Sequence, residues 1–198
     1  MKRPLIIDNY DSFAYNLFQY VGEIIEEEPT VRKNDEIDVA GIKKLRPLCI
    51  IISPGPGHPS IARDRGNCVE ICLAFCKTIP ILGICMGHQI LAYSFGATIA
   101  SAPSTMHGKC SDITHINDEL FKGIPKEIRV MRYHSLIVEK KSLPDSFNVI
   151  ATTDDNLVMG IKMKNFPAYG LQFHPESIGT RHGKAILRNF VRICGRGA

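Results

Sequence analysis

The sequence predicts a three-layer α/β domain built on a central mixed, mostly parallel sheet. Three observations predict it. Short runs rich in β-branched residues alternate with stretches of helical periodicity through the first half of the chain, the pattern of parallel strands joined by helical crossovers. Strand-like segments separated by turns dominate the second half, and a helical stretch closes the chain. The length, 198 residues, suits one domain with a sizeable core, taken as residues 1–198.

Leu5-Ile6-Ile7 reads as a buried strand. A helix follows from about Ser12 to Ile25, with Leu17, Tyr20, Val21 and Ile24 at helical spacing. Thr30 to Arg32 and Cys49-Ile50-Ile51-Ile52 are further strands, the second ending in the loop Ser53-Pro54-Gly55-Pro56-Gly57. A helix is expected over Asp64 to Lys77, a strand over Ile79 to Ile84, and a helix over Met86 to Phe95, stopped by Gly96. Segments 97–102, 107–116, 127–139, 147–153, 158–164 and 168–173 favour strands and turns, and a last helix runs from about Thr180 to Cys194. No repeat, low-complexity tract or linker interrupts this order.

Composition excludes several function classes. Hydrophobic residues make up 44% and charged residues 22%, ordinary globular values that argue against disorder. A net charge of +4, without a basic run, gives no footprint for nucleic acid. No apolar stretch approaches a membrane span. Met1-Lys2-Arg3-Pro4 leads into an apolar piece that Asp8-Asn9-Tyr10-Asp11 breaks, too short for a secretory signal. A cytoplasmic protein is expected. Cys68, Cys72 and Cys76, three of seven cysteines, recur on one helical face. Zinc sites usually take four ligands, so these read as small apolar side chains facing the core.

Gly83-Ile84-Cys85-Met86-Gly87 sits where a strand turns directly into a helix, the logic of a nucleophile elbow. A helix N-terminus favours the thiolate, and the Met86 N–H is placed to stabilise an oxyanion. The pentapeptide alone fits a buried structural cysteine between packing glycines equally well. His174 decides between the two. In Gln172-Phe173-His174-Pro175-Glu176, Pro175 biases His174 towards extended backbone, and residues two apart in extended chain face the same way. Glu176 then lies beside His174 and holds its tautomer, completing a cysteine, histidine, carboxylate triad.

Together these motifs resemble the class I, triad-type glutamine amidotransferases, and within them the glutaminase subunits that serve chorismate-using synthases. Five motifs carry the resemblance in order: Asp8-Asn9-Tyr10-Asp11-Ser12-Phe13, Ser53-Pro54-Gly55-Pro56-Gly57, Gly83-Ile84-Cys85-Met86-Gly87-His88-Gln89, Arg132-Tyr133-His134-Ser135-Leu136 and Gln172-Phe173-His174-Pro175-Glu176-Ser177. The resemblance implies that fold, and roles at matching positions. Cys85 would form a glutamyl thioester, His174 would carry the proton and Glu176 would orient it. The N–H groups of Gly55 and Met86 would form the oxyanion hole. Gly55, Pro56, Gly57, Gln89, Ser135 and Leu136 would hold L-glutamine. Met86 and Ile84 stand where leucine and valine are commoner. His88 and His134 read as structural. No cofactor and no metal are expected.

The resemblance also implies a partner, a large chorismate-binding synthase subunit in a hetero-oligomer that makes anthranilate or aminodeoxychorismate. Met106-His107-Gly108-Lys109 is the candidate docking loop, against a plain turn between strands. Two other classes compete. A cysteine peptidase or γ-glutamyl hydrolase with the same elbow should lack the Ser-Pro-Gly-Pro-Gly and Arg-Tyr-His-Ser-Leu segments, and a non-catalytic binding subunit should not retain Cys85, His174 and Glu176.

Overall fold

A computed structural model describes residues 2–195 of the chain. Leu5–Asp8 (β1), Thr30–Lys33 (β2), Ile50–Ile52 (β3), Ile81–Ile84 (β4), Ile99–His115 (β5), Glu127–Val138 (β6), Phe147–Thr153 (β7), Val158–Met163 (β8) and Ala168–Leu171 (β9) form one sheet. Its order is β2-β1-β3-β4-β9-β8-β7-β5-β6. Pairings from β2 through β9 are parallel, and the remainder are antiparallel. The helices are Ala14–Ile25 (α1), Val39–Leu45 (α2), Ala62–Arg65 (α3), Cys68–Phe75 (α4), Met86–Ser94 (α5) and Gly183–Gly195 (α6).

The inner parallel strands β1, β3, β4 and β9 are buried along their whole length because both faces are covered. Leu5, Ile7, Ile50, Ile52 and Ile81 join one buried cluster with Ile42 of α2, Ile71 of α4 and Ile90 of α5. Their alternates Ile6, Ile51, Leu82 and Ile84 join a second with Leu17 and Val21 of α1 and Ile186 and Phe190 of α6. The period-2 alternation thus divides each strand between two cores, giving three layers. No helix among the described residues is long and apolar enough to cross a membrane.

Four segments differ from the sequence expectation. The helix expected over Asp64 to Lys77 is two helices, α3 and α4, broken at Gly66 with φ +49°; a Cβ there would lie 2.4 Å from the Asn34 carbonyl oxygen. Helix α2 has no counterpart in the sequence expectation. Its seven residues include Gly41, and its signal is the Asp38 cap, whose carboxylate accepts from the Gly41 N–H at 2.7 Å. Segments 97–102 and 107–116 are one long strand, β5, carrying register shifts between Ser101 and Met106 and between His107 and Lys109. Consequently Met106-His107-Gly108-Lys109 is neither a loop nor a turn but bulged strand paired to Tyr133 and its neighbours. Finally β9 ends at Leu171, so residues 172–173 lie in a bend rather than in the strand.

Candidate active site

Cys85 occupies the turn between β4 and α5 with φ +51° and ψ −101°, a conformation costly for a residue with a side chain. The surroundings enforce it. The Cys85 N–H donates to the Leu171 carbonyl at 2.7 Å, while the Gln89 N–H donates to the Cys85 carbonyl at 3.1 Å. The last strand bond and the first helix bond therefore fall on one residue. Gly83 and Gly87 are obligatory: a Cβ on Gly83 would lie 2.3 Å from the Gly87 carbonyl oxygen, and one on Gly87 would lie 2.3 Å from that of Ile52. Met86 begins the helix, and its amide is among the first-turn donors that helix geometry leaves without an internal acceptor.

His174 and Glu176 sit in the turn after β9, both buried. Nδ1 of His174 lies 2.6 Å from Oε1 of Glu176. The pair forms, but in a turn, with the Ser177 N–H donating to the His174 carbonyl, rather than along extended chain. Tertiary contacts hold the turn: the His174 N–H donates to the Met131 carbonyl and the Thr180 hydroxyl to the His174 carbonyl. Burial opposes charge on His174, yet the nearby Cys85 sulfur and the hydrogen bond and charge of Glu176 outweigh it and raise the pKa to about 10. Nε2 has no closed hydrogen bond, so Cys85 and His174 are electrostatic neighbours rather than a bonded pair. Phe13 and Tyr133 pack edge-on against the imidazole, with centroids at 6.1 and 5.2 Å.

The segment after β1 fastens the glycine loop. Asn9 donates from its N–H to Ser53 Oγ and from Nδ2 to the Ser53 carbonyl. A Cβ on Gly55 would lie 2.5 Å from Asn9 Cβ, and one on Gly57, with φ +95°, 2.3 Å from Asp64 Oδ2. Asp64 also accepts from the His58 N–H at 3.0 Å. It is a loop anchor absent from the sequence motifs, because no local pattern links it to Gly57.

Cys85, Met86, Gln89, Gly55, Pro56, Gly57, Ser135 and Leu136 line one cavity of about 180 Å³, together with Tyr133 and His134. Every predicted pocket residue is therefore brought together. The break in β5 explains how main chain becomes available there. Leu136 pairs with Ser101 and His134 with Met106, so Ser135 lies opposite the unpaired segment 102–105. A bulge of this kind frees backbone for other partners. The Leu136 carbonyl accepts from Gln89 Nε2 and from His134 Nδ1, both at 2.9 Å. Arg132 Nε donates to His134 Nε2 at 3.0 Å, which fixes a neutral tautomer. Burial, then the Arg132 charge, lowers the His134 pKa to about 4, and burial lowers that of His88 to about 3. Both rings stay uncharged at neutral pH; His134 braces the pocket wall and His88 packs under Gly170.

A larger recess of about 350 Å³ lies at the opposite ends of the parallel strands, lined by Lys43, Arg46, Pro80 and Pro167 among others. Among the described residues its lining holds no histidine or carboxylate for proton transfer. Cys68 and Cys72 of α4 and the adjoining Cys76 are buried in the core, as expected from their spacing, and burial raises the Cys68 thiol to about 12.

The family model for class-I glutamine amidotransferases matches residues 5–194. The chain belongs to the class-I glutamine amidotransferases. Anthranilate synthase component 2 of Methanothermobacter marburgensis is 46% identical over 97% of this amidotransferase and 99% of its own length. Aminodeoxychorismate/anthranilate synthase component 2 of Bacillus subtilis is 46% identical over 94% of both chains. The bifunctional protein TrpGD of Thermotoga maritima is 45% identical over 98% of this amidotransferase, which spans 32% of that longer protein. Among solved structures, a Thermoplasma acidophilum protein assigned to GMP synthase superposes with a TM-score of 0.86 at 27% identity, covering 99% of this amidotransferase and 95% of that chain.

Proposed function

We propose that this chain is the glutaminase subunit of anthranilate synthase, releasing ammonia from L-glutamine for a separate chorismate-using subunit in tryptophan biosynthesis. The observation that carries the reading is the opening of Cys85, with the His174–Glu176 pair behind it, onto the cavity lined by Gly55, Gln89, Ser135 and Leu136. Cys85 Sγ attacks the side-chain amide carbon of glutamine. The developing oxyanion is met by the Gly55 and Met86 amides. His174, held by Glu176, gives its proton to the departing nitrogen, leaving ammonia and a glutamyl thioester. Water then adds to the thioester, His174 takes its proton, and collapse releases glutamate and the Cys85 thiolate. Gly55, Pro56, Gly57, Gln89, Ser135 and Leu136 hold the amino-acid end. No cofactor or metal enters any of these steps.

The names of the relatives support the pathway. The Bacillus relative, named for both aminodeoxychorismate and anthranilate synthases, supports a second reading in which this chain serves folate biosynthesis as well. In either case the complex is a cytoplasmic hetero-oligomer. The exposed strand residues His107 and Lys109 are the proposed contact with the partner; His107 packs edge-on against Tyr133, which packs against His174. The test is ammonia release from glutamine by the full chain with each candidate synthase, against Cys85→Ala. Glutamine-dependent product with the anthranilate-forming partner supports the first reading; unchanged activity in Cys85→Ala overturns both.

A further inference from the structure

Gln172 has no part in the mechanism above, yet it is completely buried and its side chain reaches the nucleophile. Gln172 Nε2 donates to Cys85 Sγ at 3.8 Å, and Gln172 Oε1 accepts from Gln89 Nε2 at 3.1 Å. Gln89 Nε2 also donates to the Leu136 carbonyl at 2.9 Å. We propose that Gln172 is a positioning residue for Cys85, holding the sulfur through its amide N–H and tying it to the pocket wall through Gln89 and Leu136. The inference rests on the reading of Cys85 as nucleophile.

The direction of the relay follows from hydrogen-bond chemistry. An amide can be turned either way at each glutamine, but a backbone carbonyl only accepts. The Leu136 carbonyl therefore requires NH₂ from Gln89, and that same NH₂ faces Gln172, which must answer with its oxygen. The NH₂ of Gln172 is left for Cys85. A donor fixed against sulfur favours thiolate over thiol, because a charged acceptor gains more from the bond than a neutral one. The backbone is equally constrained: the Gln172 N–H donates to the Met159 carbonyl at 3.0 Å, and the neighbouring Leu171 carbonyl accepts from Cys85. Consecutive residues at the end of β9 thus hold Cys85 by main chain and side chain, and a group bound at Leu136 is mechanically linked to the sulfur.

The experiment is iodoacetamide labelling of Cys85 in the full chain as a function of pH, followed by peptide mapping, in the native protein, Gln172→Leu and the isosteric Gln172→Glu. Iodoacetamide is small and does not imitate the amino-acid end of glutamine, so labelling reads the sulfur rather than the pocket. His174, Glu176, Asp11, His134 and His88 around the site are unchanged in all three proteins. Losing a hydrogen bond to a charged group displaces the half-maximal pH upward by about one unit, or roughly tenfold in labelling rate at fixed pH. Steady-state kinetics with the partner should show a kcat loss larger than the rise in glutamine KM. Folding is checked by thermal unfolding, and the isosteric variant keeps the test open if Gln172→Leu does not fold. Native labelling profiles and native kcat in a folded variant overturn the proposal while leaving Cys85 as nucleophile. Full glutaminase activity in Cys85→Ala overturns the underlying reading instead.

Discussion

His174 Nδ1 and Glu176 Oε1 lie 2.6 Å apart across a turn closed by the Ser177 N–H on the His174 carbonyl. Two residues of one short segment thus supply the proposed proton carrier and its anchor, and the Met131 and Thr180 contacts hold the His174 backbone in place.

His174→Ala should cost glutaminase activity about a hundredfold or more, because the histidine moves protons in both half-reactions. Glu176→Ala should cost less, since it orients the ring and stabilises its charge. Steady-state ammonia release in matched complexes measures both. Equal losses would show that Glu176 does more than orient.

An electrophilic glutamine analogue should label Cys85 and spare Cys68 and Cys72, whose thiols are pushed up by burial and which line no part of the pocket. Half-buried Cys110 serves as the internal control for non-specific reactivity. Peptide mapping that found the label on α4 would remove Cys85 from its assigned role.

Gly87→Ala should destabilise the fold by about 1–3 kcal/mol through overpacking, because its Cβ would meet the Ile52 carbonyl oxygen at 2.3 Å and neither backbone can yield without moving the elbow. Chemical denaturation measures the loss, and glutaminase activity should fall with it. Native stability in the variant would contradict the tight approach of β3 and α5.

Acid should weaken the fold through His88 and His134. Both are held below the usual histidine value, at about 3 and about 4, so from about pH 6.5 downward the unfolded chain binds protons that the folded chain refuses. Stability therefore falls as pH falls through that window, by on the order of 1 kcal/mol per pH unit for each histidine. His174 has the opposite sign: its raised pKa gives stability present below about 6.5 and lost as pH rises towards 10. Denaturation midpoints between pH 4 and 7 should flatten in His134→Gln; an unchanged slope would show that His134 is not held neutral.

The isolated chain should be a weak glutaminase that a synthase carrying its own substrate activates. No hydrogen bond joins the Gly55 amide to another described residue, so partner docking can select the loop conformation in which it faces the oxyanion. A misaligned donor there costs roughly a hundredfold to a thousandfold. Ammonia release by the chain alone, at the full rate of the complex, would rule out this gating while leaving the assignment of Cys85 intact.

Local chemistry is legible in the sequence. The apolar strands β1, β3 and β4, the elbow glycines beside Cys85 and the spacing of His174 and Glu176 each depend on near neighbours in the chain, where side-chain periodicity and backbone sterics act directly. The segment from 62 to 77 departs from its expected single helix because helical periodicity says nothing of Asn34, whose backbone fills the space beside Gly66. Helix α2 escapes notice because seven residues with an internal glycine carry too little periodic signal.

The residues themselves thus determined the layer architecture, the candidate nucleophile and proton carrier, and the family. Only the tertiary structure decided how they meet. It merged two expected strands into β5 and placed its bulge opposite Ser135, joined His58 to Asp64, and set Gln172 between Gln89 and Cys85. These contacts mostly join residues far apart in the chain, and their geometry is fixed by strand register and by the close approach of backbones. Neither is encoded in any single stretch of sequence; both arise when two separate faces are buried against one sheet.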